Sequence, residues 1–394
     1  MAEQEQQVPV IKYNPQLDGL RFFAVFFVVC YHWLPSISEN DTAFFFGGFV
    51  NFFFVLSSYL ITKILFSAKD KSRVANIPRY QVMLVFLMRR TVRIFPAYYV
   101  FLIVVMCLPS IGYDLRENAG SYFAYIANYT IYFKQSWPPV TSHIWTLAVE
   151  EQFYLLWPFV ILFIPKRYLA KTFFFIILAS LLARAVFFEP GRVIPQVILT
   201  QYAIDPFAIG GLLAYLYAIP EDARKDINKY LNIALYLAIP TSIAIIISKS
   251  YYFSFVLNGL CFSSISLKII EGAILGYKGF LGKLLVQRVV LFIGKISYSI
   301  YLYHLLVPIL FWKVFNNLYG RLIGHFPYFF ADHKTAIDST MKFLASEPVR
   351  FVLYSGVLML FALFSWNVIE KPINKFKVAF KSGPEKQNLN SAGS

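Results

Sequence analysis

The amino-acid sequence predicts an all-α polytopic membrane protein, with about ten transmembrane helices around a polar cavity and both termini in the cytoplasm. The chain has 394 residues, of which 58% are hydrophobic and only 14% are charged, whereas about a quarter of the residues in soluble domains are charged. Apolar runs of about 20 residues recur along the whole chain, and a helix of this length crosses a bilayer. Lys and Arg cluster in alternate loops, which the positive-inside rule assigns to the cytoplasm.

The predicted helices divide the chain into three parts. Residues 1–16 form a cytoplasmic N-terminal segment, residues 17–372 the membrane domain, and residues 373–394 a partly disordered cytoplasmic tail. Ten helices are predicted near residues 17–35, 43–66, 84–108, 147–164, 171–188, 196–218, 230–248, 252–270, 289–316 and 349–370. Because most basic residues lie in loops, the net charge of +15 indicates a lipid bilayer as partner and no nucleic acid. The spacing of the five histidines fits no metal-ligand pattern, so no metal site is expected.

The first predicted helix carries ionisable side chains within an apolar run. Asp18, Arg21 and His32 lie inside or at the ends of this run, and such groups at membrane depth usually face a protein interior or a wet cavity. Arg21 and His32 are eleven residues apart, which is about 16 Å along a helix and close to three turns. Their side chains therefore share one face. By itself, His32 fits a buried core residue as well as a general base or transient nucleophile.

Further ionisable residues extend this face into a predicted polar track. Arg90 and Arg93 lie at the cytoplasmic start of the third helix and share a face. They fit either snorkelling anchors or a clamp whose guanidinium groups bind phosphate. Glu150, Asp205 and His304 are predicted at middle-to-outer depth. The track is therefore basic at the cytoplasmic entrance, with imidazole and carboxylate groups above it.

Several of these residues fit two roles. Asp205, beside a proline, fits a helix cap or an ion-pair partner as well as a residue of the track. His304 fits a residue that orients a neighbouring group or caps a break in its helix. Glu150 and Glu151 diverge by about 100° on a helix, so only one of them is expected to face the cavity. His143 precedes the fourth helix in a loop, where an interfacial structural role is expected.

The motifs, taken together, resemble those of the acyltransferase-3 family of integral-membrane O-acyltransferases, from about Asn14 to Pro372. In chain order the pieces are Leu17-Asp18-Gly19-Leu20-Arg21 with His32, Phe53-Phe54-Val55-Leu56-Ser57, Arg90-x-x-Arg93, Trp145-Thr146-Leu147-x-x-Glu150, Asp205-x-x-x-x-Gly210, Ser297-Tyr298-Ser299-Ile300-Tyr301-Leu302-Tyr303-His304 and Glu370-x-Pro372. Each piece alone is weak, whereas all of them in one order on ten predicted helices make a specific match.

The resemblance implies transfer of an acyl group, commonly acetyl, from cytoplasmic acyl-CoA to a hydroxyl of a carbohydrate or another acceptor. In bacterial members the acceptor is often an envelope glycan or a glycolipid such as lipopolysaccharide, which implies the inner membrane as the location. Acyl-CoA, commonly acetyl-CoA, is then the co-substrate. His32 is the implied catalytic residue, with Glu150 as a functional acid on the acceptor side. The implied CoA contacts are Arg21, Arg90 and Arg93, and substrate or supporting roles fall on Ser57, Trp145, Asp205 and His304.

The sequence departs from the family pattern at two positions. Asn51 replaces the usual acid before the Phe-Phe pair, and Ser58 replaces the glycine of the usual Ser-Gly. Many relatives carry an extra helix and a soluble hydrolase-like domain, so we expect a hand-off to such a domain either to occur in trans, through an extracytoplasmic partner, or to be absent. Two alternatives stay open: acylation of a small molecule such as a macrolide, and a proton-coupled transporter or flippase with His32 and Asp205 as its proton relay.

Overall fold

The computed structural model describes residues 13–38, 48–326, 328 and 333–376, apart from the side chains of Ala223 and Asp226. Within these ranges every regular element is helical, which confirms the all-α prediction. The α-helices are α1 (Pro15–Trp33), α2 (Pro35–Ser38), α3 (Phe49–Val74), α4 (Arg79–Met106), α5 (Tyr113–Glu117), α6 (Ala119–Phe123), α7 (Ala127–Lys134), α8 (Ile144–Phe163), α9 (Lys166–Val186), α10 (Asp205–Leu216), α11 (Glu221–Ser248), α12 (Tyr251–Leu275), α13 (Gly279–Leu285), α14 (Arg288–Lys295), α15 (Ser297–Tyr303), α16 (Leu306–His325), α17 (Lys334–Ala345), α18 (Glu347–Phe364) and α19 (Lys371–Asn374). Residues Gln196–Ile198 and Thr200–Tyr202 form 3₁₀ helices, and Ser365–Glu370 forms a π-helix.

Six helices of the described chain are long and apolar enough to cross a membrane. They are α3, α8, α9, the Ile227–Ser248 part of α11, α12 and the segment Glu347–Asn374; α15 and α16 make a seventh if this pair, bent by 52°, counts as one span. The other helices needed for ten spans are α1 and α4, which carry ionisable residues within their apolar runs, and α10, which has only 12 residues. The count of ten and the cytoplasmic termini therefore stay predictions.

The structure defines where two of the predicted helices begin. The predicted helix 196–218 is wrong in extent, because Pro206 favours a helix start and α10 begins at Asp205. The first helix begins as expected, since Asn14 caps it by accepting the backbone N–H of Gln16 at 3.0 Å, with Pro15 in the first turn. The predicted terminal segments fall largely on residues 1–12 and 377–394, outside the described residues.

Cross-helix hydrogen bonds join the ends of several helices at one end of the bundle. Asn14, before α1, donates to the carbonyl of Ala273 near the end of α12 at 2.7 Å. Lys69, near the end of α3, donates to the carbonyl of Ile161 near the end of α8 at 2.7 Å, and Lys166 at the start of α9 donates to the carbonyl of Ala218 after α10. We call this the basic end of the bundle. The opposite end, where α1 finishes at Trp33, is called the histidine end.

Helix α10 lies at the centre of the bundle, and all of its residues are buried. Its closest partner is α3: a Cβ on Gly210 would lie 2.2 Å from the carbonyl oxygen of Val55, so only glycine permits this approach. Phe207 stacks between Phe54 of α3 and Phe153 of α8, with ring centroids 4.6 and 4.1 Å apart. This packing holds α3 and α8, which carry several of the predicted site residues, in a fixed relation.

A buried ion pair joins α9 to the start of α10. Arg184 donates to the Asp205 carboxylate at 2.9 and 3.0 Å, and both side chains are almost completely buried. Ser180 donates to the same carboxylate at 3.2 Å, and Arg184 also donates to the carbonyl of Tyr202. Asp205 therefore has an ion-pair partner, one of the roles that the sequence leaves open for it, and its role at the substrate site stays a prediction.

Replacing Asp205 with Ala should destabilise the fold by about 3–5 kcal/mol, because it leaves the buried Arg184 charge without a partner. The combined change Asp205→Leu with Arg184→Met should recover most of this loss, since two apolar side chains replace the pair. Thermal unfolding of the purified protein in detergent measures both. An Asp205→Ala protein with unchanged thermal stability would contradict the framework role.

Candidate functional site

A cavity of about 310 Å³ lies between α1, α3, α4 and α8. Five of the predicted site residues line it, although they come from four different helices: Arg21, Ser57, Arg90, Arg93 and Glu150. Its apolar wall includes Phe53, Leu60 and Ile64 of α3. We call this the central cavity. It combines cations, carboxylates and apolar surface, as small-molecule sites do.

The cations of the central cavity are not equivalent. Arg21 forms an ion pair with Asp18, one turn earlier on α1. The Arg90 guanidinium lies over the rings of Phe86 and Tyr154, 5.6 and 5.5 Å from their centroids. In the described part of the chain neither Arg90 nor Arg93 forms an ion pair with a carboxylate. These two guanidinium groups are therefore available to an anion.

The acidic side of the central cavity is formed by two adjacent residues of α8. Glu150 accepts a hydrogen bond from the Ser57 hydroxyl at 2.9 Å. Glu151 also lines the cavity, and its buried Oε1 has no hydrogen-bond partner among the described residues. The expectation that only one of the pair faces the cavity is wrong, because the cavity extends far enough around α8 for both diverging side chains to reach it. Glu150 lies with the arginines, not beside His32 as expected for an acid on the acceptor side.

Two further spaces, toward the basic end, share lining residues with the central cavity. One, of about 460 Å³, is lined by Tyr13, Asn14 and Lys63 and shares Arg21 with the central cavity. The other, of about 180 Å³, shares Arg90 and Arg93 with it. The lining of the central cavity is therefore continuous with the basic end through its three arginines.

A further cavity, of about 490 Å³, opens at the histidine end and is called the histidine cavity. His32 and Trp145, two of the predicted site residues, line it, and its aromatic wall also includes Tyr31, Trp137 and His143. None of the described residues that line it is Asp, Glu, Lys or Arg. The His32 imidazole thus faces a protein cavity whose other polar groups are neutral.

The central and histidine cavities meet at a shared wall. Val50, Thr146 and Tyr301 line both of them. The Thr146 and Tyr301 hydroxyls are hydrogen-bonded to each other at 2.6 Å. We call this place the junction. His32 and the guanidinium groups therefore lie on opposite sides of the junction.

The helix between α15 and α16 breaks beside the junction. Pro308 has no N–H for the carbonyl of His304, four residues earlier, and its ring crowds that carbonyl. Three side chains supply the missing donors: Trp33 Nε1 donates to the carbonyl of His304 at 2.9 Å, His304 Nδ1 to that of Tyr301 at 2.6 Å, and His143 Nε2 to that of Leu302 at 3.1 Å. Side-chain donors of this kind make a break tolerable at membrane depth.

The break brings three imidazoles together. The His304 ring lies 5.0 Å from the His32 ring and 4.9 Å from the His143 ring, measured between centroids. His304 therefore caps a helix break, one of its two predicted roles. The interfacial role expected for His143 is wrong, since only 3% of this residue is exposed and its ring is held inside the bundle by Leu302.

Sequence reasoning missed several residues of these walls: Thr146, Tyr154 and Tyr301 as lining groups, Glu151 as a second acid, and His143 as a cavity residue. One signal for the histidine cluster was available, namely the four-residue spacing of His304 and Pro308, which predicts a free carbonyl. Nothing in the sequence indicates that His143 fills the space beside it, because that contact depends on how a loop packs.

Known proteins resemble this chain over much of its length. The O-acetyltransferase OatA of Staphylococcus aureus (strain MRSA252) is 30% identical over 407 residues, which cover 96% of this chain and 60% of that protein. The peptidoglycan O-acetyltransferase OatA of Listeria monocytogenes is 32% identical over 321 residues, covering 74% of this chain and 49% of that protein. The chain thus spans between about half and 60% of the length of these relatives. No solved structure matches it.

The family comparison covers the region that builds both cavities. The acyltransferase domain matches residues 14–367, which include α1 with His32, the arginines of α4, α8 and the helix break. This match confirms the resemblance carried by the motifs. The chain therefore belongs to the acyltransferase-3 family.

Proposed function

We propose that this protein is an integral-membrane O-acetyltransferase that moves an acetyl group from cytoplasmic acetyl-CoA to a hydroxyl of a cell-envelope glycan. One observation carries the proposal: the arginine-lined central cavity and the His32-lined histidine cavity share the walls of the junction, at Val50, Thr146 and Tyr301. A donor entering from the basic end and an acceptor entering from the histidine end meet there. In this proposal the basic end faces the cytoplasm of a bacterium and the protein lies in its plasma membrane.

The donor binds in the central cavity in this proposal. Guanidinium groups hold phosphate through paired, charge-assisted hydrogen bonds, and the unpaired Arg90 and Arg93 suit the phosphates of CoA, with Arg21 next to them. The apolar wall of α3 accommodates the pantetheine arm. Its amide N–H groups are donors that match the acceptor-only carboxylates of Glu150 and Glu151.

The acceptor binds in the histidine cavity. Trp and Tyr side chains offer an apolar face together with one polar atom, which suits a sugar ring, and the described lining carries no charge that would select an ionic acceptor. The Listeria relative is named for peptidoglycan, so a peptidoglycan fragment is the first acceptor to test. A glycolipid such as lipopolysaccharide and a small molecule of the macrolide type are the competing acceptors.

His32 performs the transfer at the junction. In the direct route its neutral imidazole takes the proton of the acceptor hydroxyl while the hydroxyl oxygen bonds to the thioester carbon. The carbon–sulfur bond then breaks, and the CoA thiolate receives the proton from His32. In the two-step route a His32 nitrogen attacks the thioester carbon, the carbon–sulfur bond breaks, and CoA leaves as the thiolate. The acceptor hydroxyl then attacks the acetyl carbon, the bond to the imidazole breaks, and the hydroxyl proton passes to the CoA thiolate, which restores the neutral His32.

Replacing His32 with Ala should lower the rate of transfer by about 10²–10⁴-fold, the usual contribution of an acid–base residue, with little change in acetyl-CoA affinity. Transfer of labelled acetyl groups to a peptidoglycan fragment by purified protein in liposomes measures the rate. The matched control is His325→Ala, which removes an exposed imidazole at the end of α16. If the His32→Ala protein kept wild-type turnover, the catalytic role of His32 would be overturned. If the wild-type protein instead took up solute with protons and transferred no acetyl group, the alternative function of a proton-coupled transporter would be favoured.

Replacing both Arg90 and Arg93 with Ala should weaken acetyl-CoA binding by at least tenfold, since each charge-assisted hydrogen bond contributes about 1.5–3 kcal/mol. A sharper readout is the preference for acetyl-CoA over acetyl-pantetheine, which lacks the phosphates. The wild-type protein and the control Arg79→Ala, an exposed residue at the start of α4, should keep this preference, and the double variant should lose it. An unchanged preference would contradict the phosphate clamp.

Replacing Val50 with Trp should obstruct the junction and lower transfer by about 10²-fold, because reacting groups held apart by even 1 Å lose that much rate. Acetyl-CoA affinity should change by no more than about twofold, because Val50 lines the wall shared with the histidine cavity and not the spaces toward the basic end that share the arginines. Val50→Ala is the control and should keep wild-type transfer. Full transfer by the Trp variant would show that donor and acceptor meet elsewhere.

A further inference from the structure

The helix break fixes the tautomer of His304. A backbone carbonyl only accepts hydrogen bonds, so the 2.6 Å contact with the Tyr301 carbonyl requires a proton on Nδ1 of His304. In the neutral ring, Nε2 then carries no proton and has a lone pair that can accept a hydrogen bond. This nitrogen is buried and has no hydrogen-bond partner in the described structure, and the residue is completely inaccessible to solvent. Leaving a buried hydrogen-bond acceptor unsatisfied costs free energy. We therefore expect a donor group to reach Nε2, either from a ligand or by rotation of a neighbouring side chain.

The neighbours of His304 leave one candidate donor. Its ring contacts His32, His143 and Tyr301. His143 Nε2–H donates to the carbonyl of Leu302. In the neutral ring the other nitrogen of His143 therefore carries no proton and cannot donate. The Tyr301 hydroxyl is engaged with Thr146 and with the carbonyl of His143. Among these described neighbours, only His32 has an uncommitted N–H.

The geometry allows His32 to make this contact. Two imidazole rings with centroids 5.0 Å apart bring facing nitrogens to ordinary hydrogen-bond separation, about 2.7–3.2 Å. A turn of the His32 ring about its Cβ–Cγ bond presents one of its nitrogens to His304. The other nitrogen then points toward the histidine cavity that His32 lines.

We propose that His304 is a positioning residue for His32: its Nε2 accepts the His32 N–H, which fixes one His32 tautomer and leaves the other nitrogen as a lone pair facing the acceptor. The proposal rests on the proposed function, because the orientation matters only if His32 acts on substrate. His304 plays the part that a carboxylate plays beside the histidine of a hydrolase triad. A neutral imidazole does so without placing a net charge at membrane depth.

Variants at position 304 test the proposal through kcat. His304→Phe keeps the ring shape and removes the acceptor, and kcat should fall about 10–100-fold, the usual effect of losing an orienting partner, with an unchanged KM for acetyl-CoA. His304→Gln keeps an acceptor and a donor and should restore part of the rate. Trp33→Phe removes a different hydrogen bond of the same break and should leave kcat within about threefold of wild type, because tautomer control is intact.

Two measurements on His32 itself separate positioning from a structural role. Modification of His32 by diethyl pyrocarbonate, followed by mass spectrometry, should slow in His304→Phe and recover in His304→Gln. Solid-state NMR of ¹⁵N-histidine-labelled wild-type protein in liposomes, with His32→Ala to assign the signal, should show a single His32 tautomer. This second measurement needs no variant at position 304 and therefore does not depend on whether such a variant folds.

The outcomes are distinct from those of the proposed function. Three results would each overturn the positioning role: wild-type kcat in His304→Phe, an equal loss of kcat in Trp33→Phe, or a mixture of His32 tautomers. The proposed acetyl transfer would still be supported in each case if the His32→Ala protein is inactive. Full transfer by His32→Ala would instead overturn the role of His32 itself.

Discussion

Polar groups deep in the helix bundle must find partners within the protein, because lipid offers none. Arg184 and Asp205 satisfy this constraint with each other, and the carbonyls released at the helix break satisfy it with the N–H groups of surrounding side chains. Arg90 and Arg93 face a cavity instead. The groups that the bundle pairs internally belong to its framework, and those left facing a cavity are available to a ligand.

Much of the arginine-lined site could be predicted from the sequence. Apolar length gives the depth of a residue and helical period gives its face, and on these grounds Arg21, Arg90 and Arg93 were expected together and do line one cavity. Ser57 was expected near a substrate only from the resemblance, and Glu150 was expected on the acceptor side, although both line the same cavity. Asp205 could not be assigned in this way, because its partner lies on the preceding helix, and no periodicity tells which side chains of two helices meet.

The histidine cluster marks the other limit of sequence reasoning. His304 and Pro308 predict a local break, because a proline removes the donor four residues along. The partners that complete the break come from α1 and from the residue before α8, far away in the chain. The tautomer of His143 follows from its long-range contact with the Leu302 carbonyl, whereas that of His304 follows from the Tyr301 carbonyl three residues earlier. The cluster as a whole therefore forms only once the helices have packed.

Charge is divided unequally between the two cavities, and this division constrains the chemistry. Of these two cavities, the central one is lined by carboxylates and guanidinium groups, whereas none of the described residues that line the histidine cavity is Asp, Glu, Lys or Arg. A carboxylate beside His32 would favour a charged imidazolium, which cannot take a proton from a hydroxyl. A neutral orienting group adds no net charge beside the base at membrane depth. The break at Pro308 provides one, because it turns the Nδ1 proton of His304 toward the backbone and leaves Nε2 free to accept.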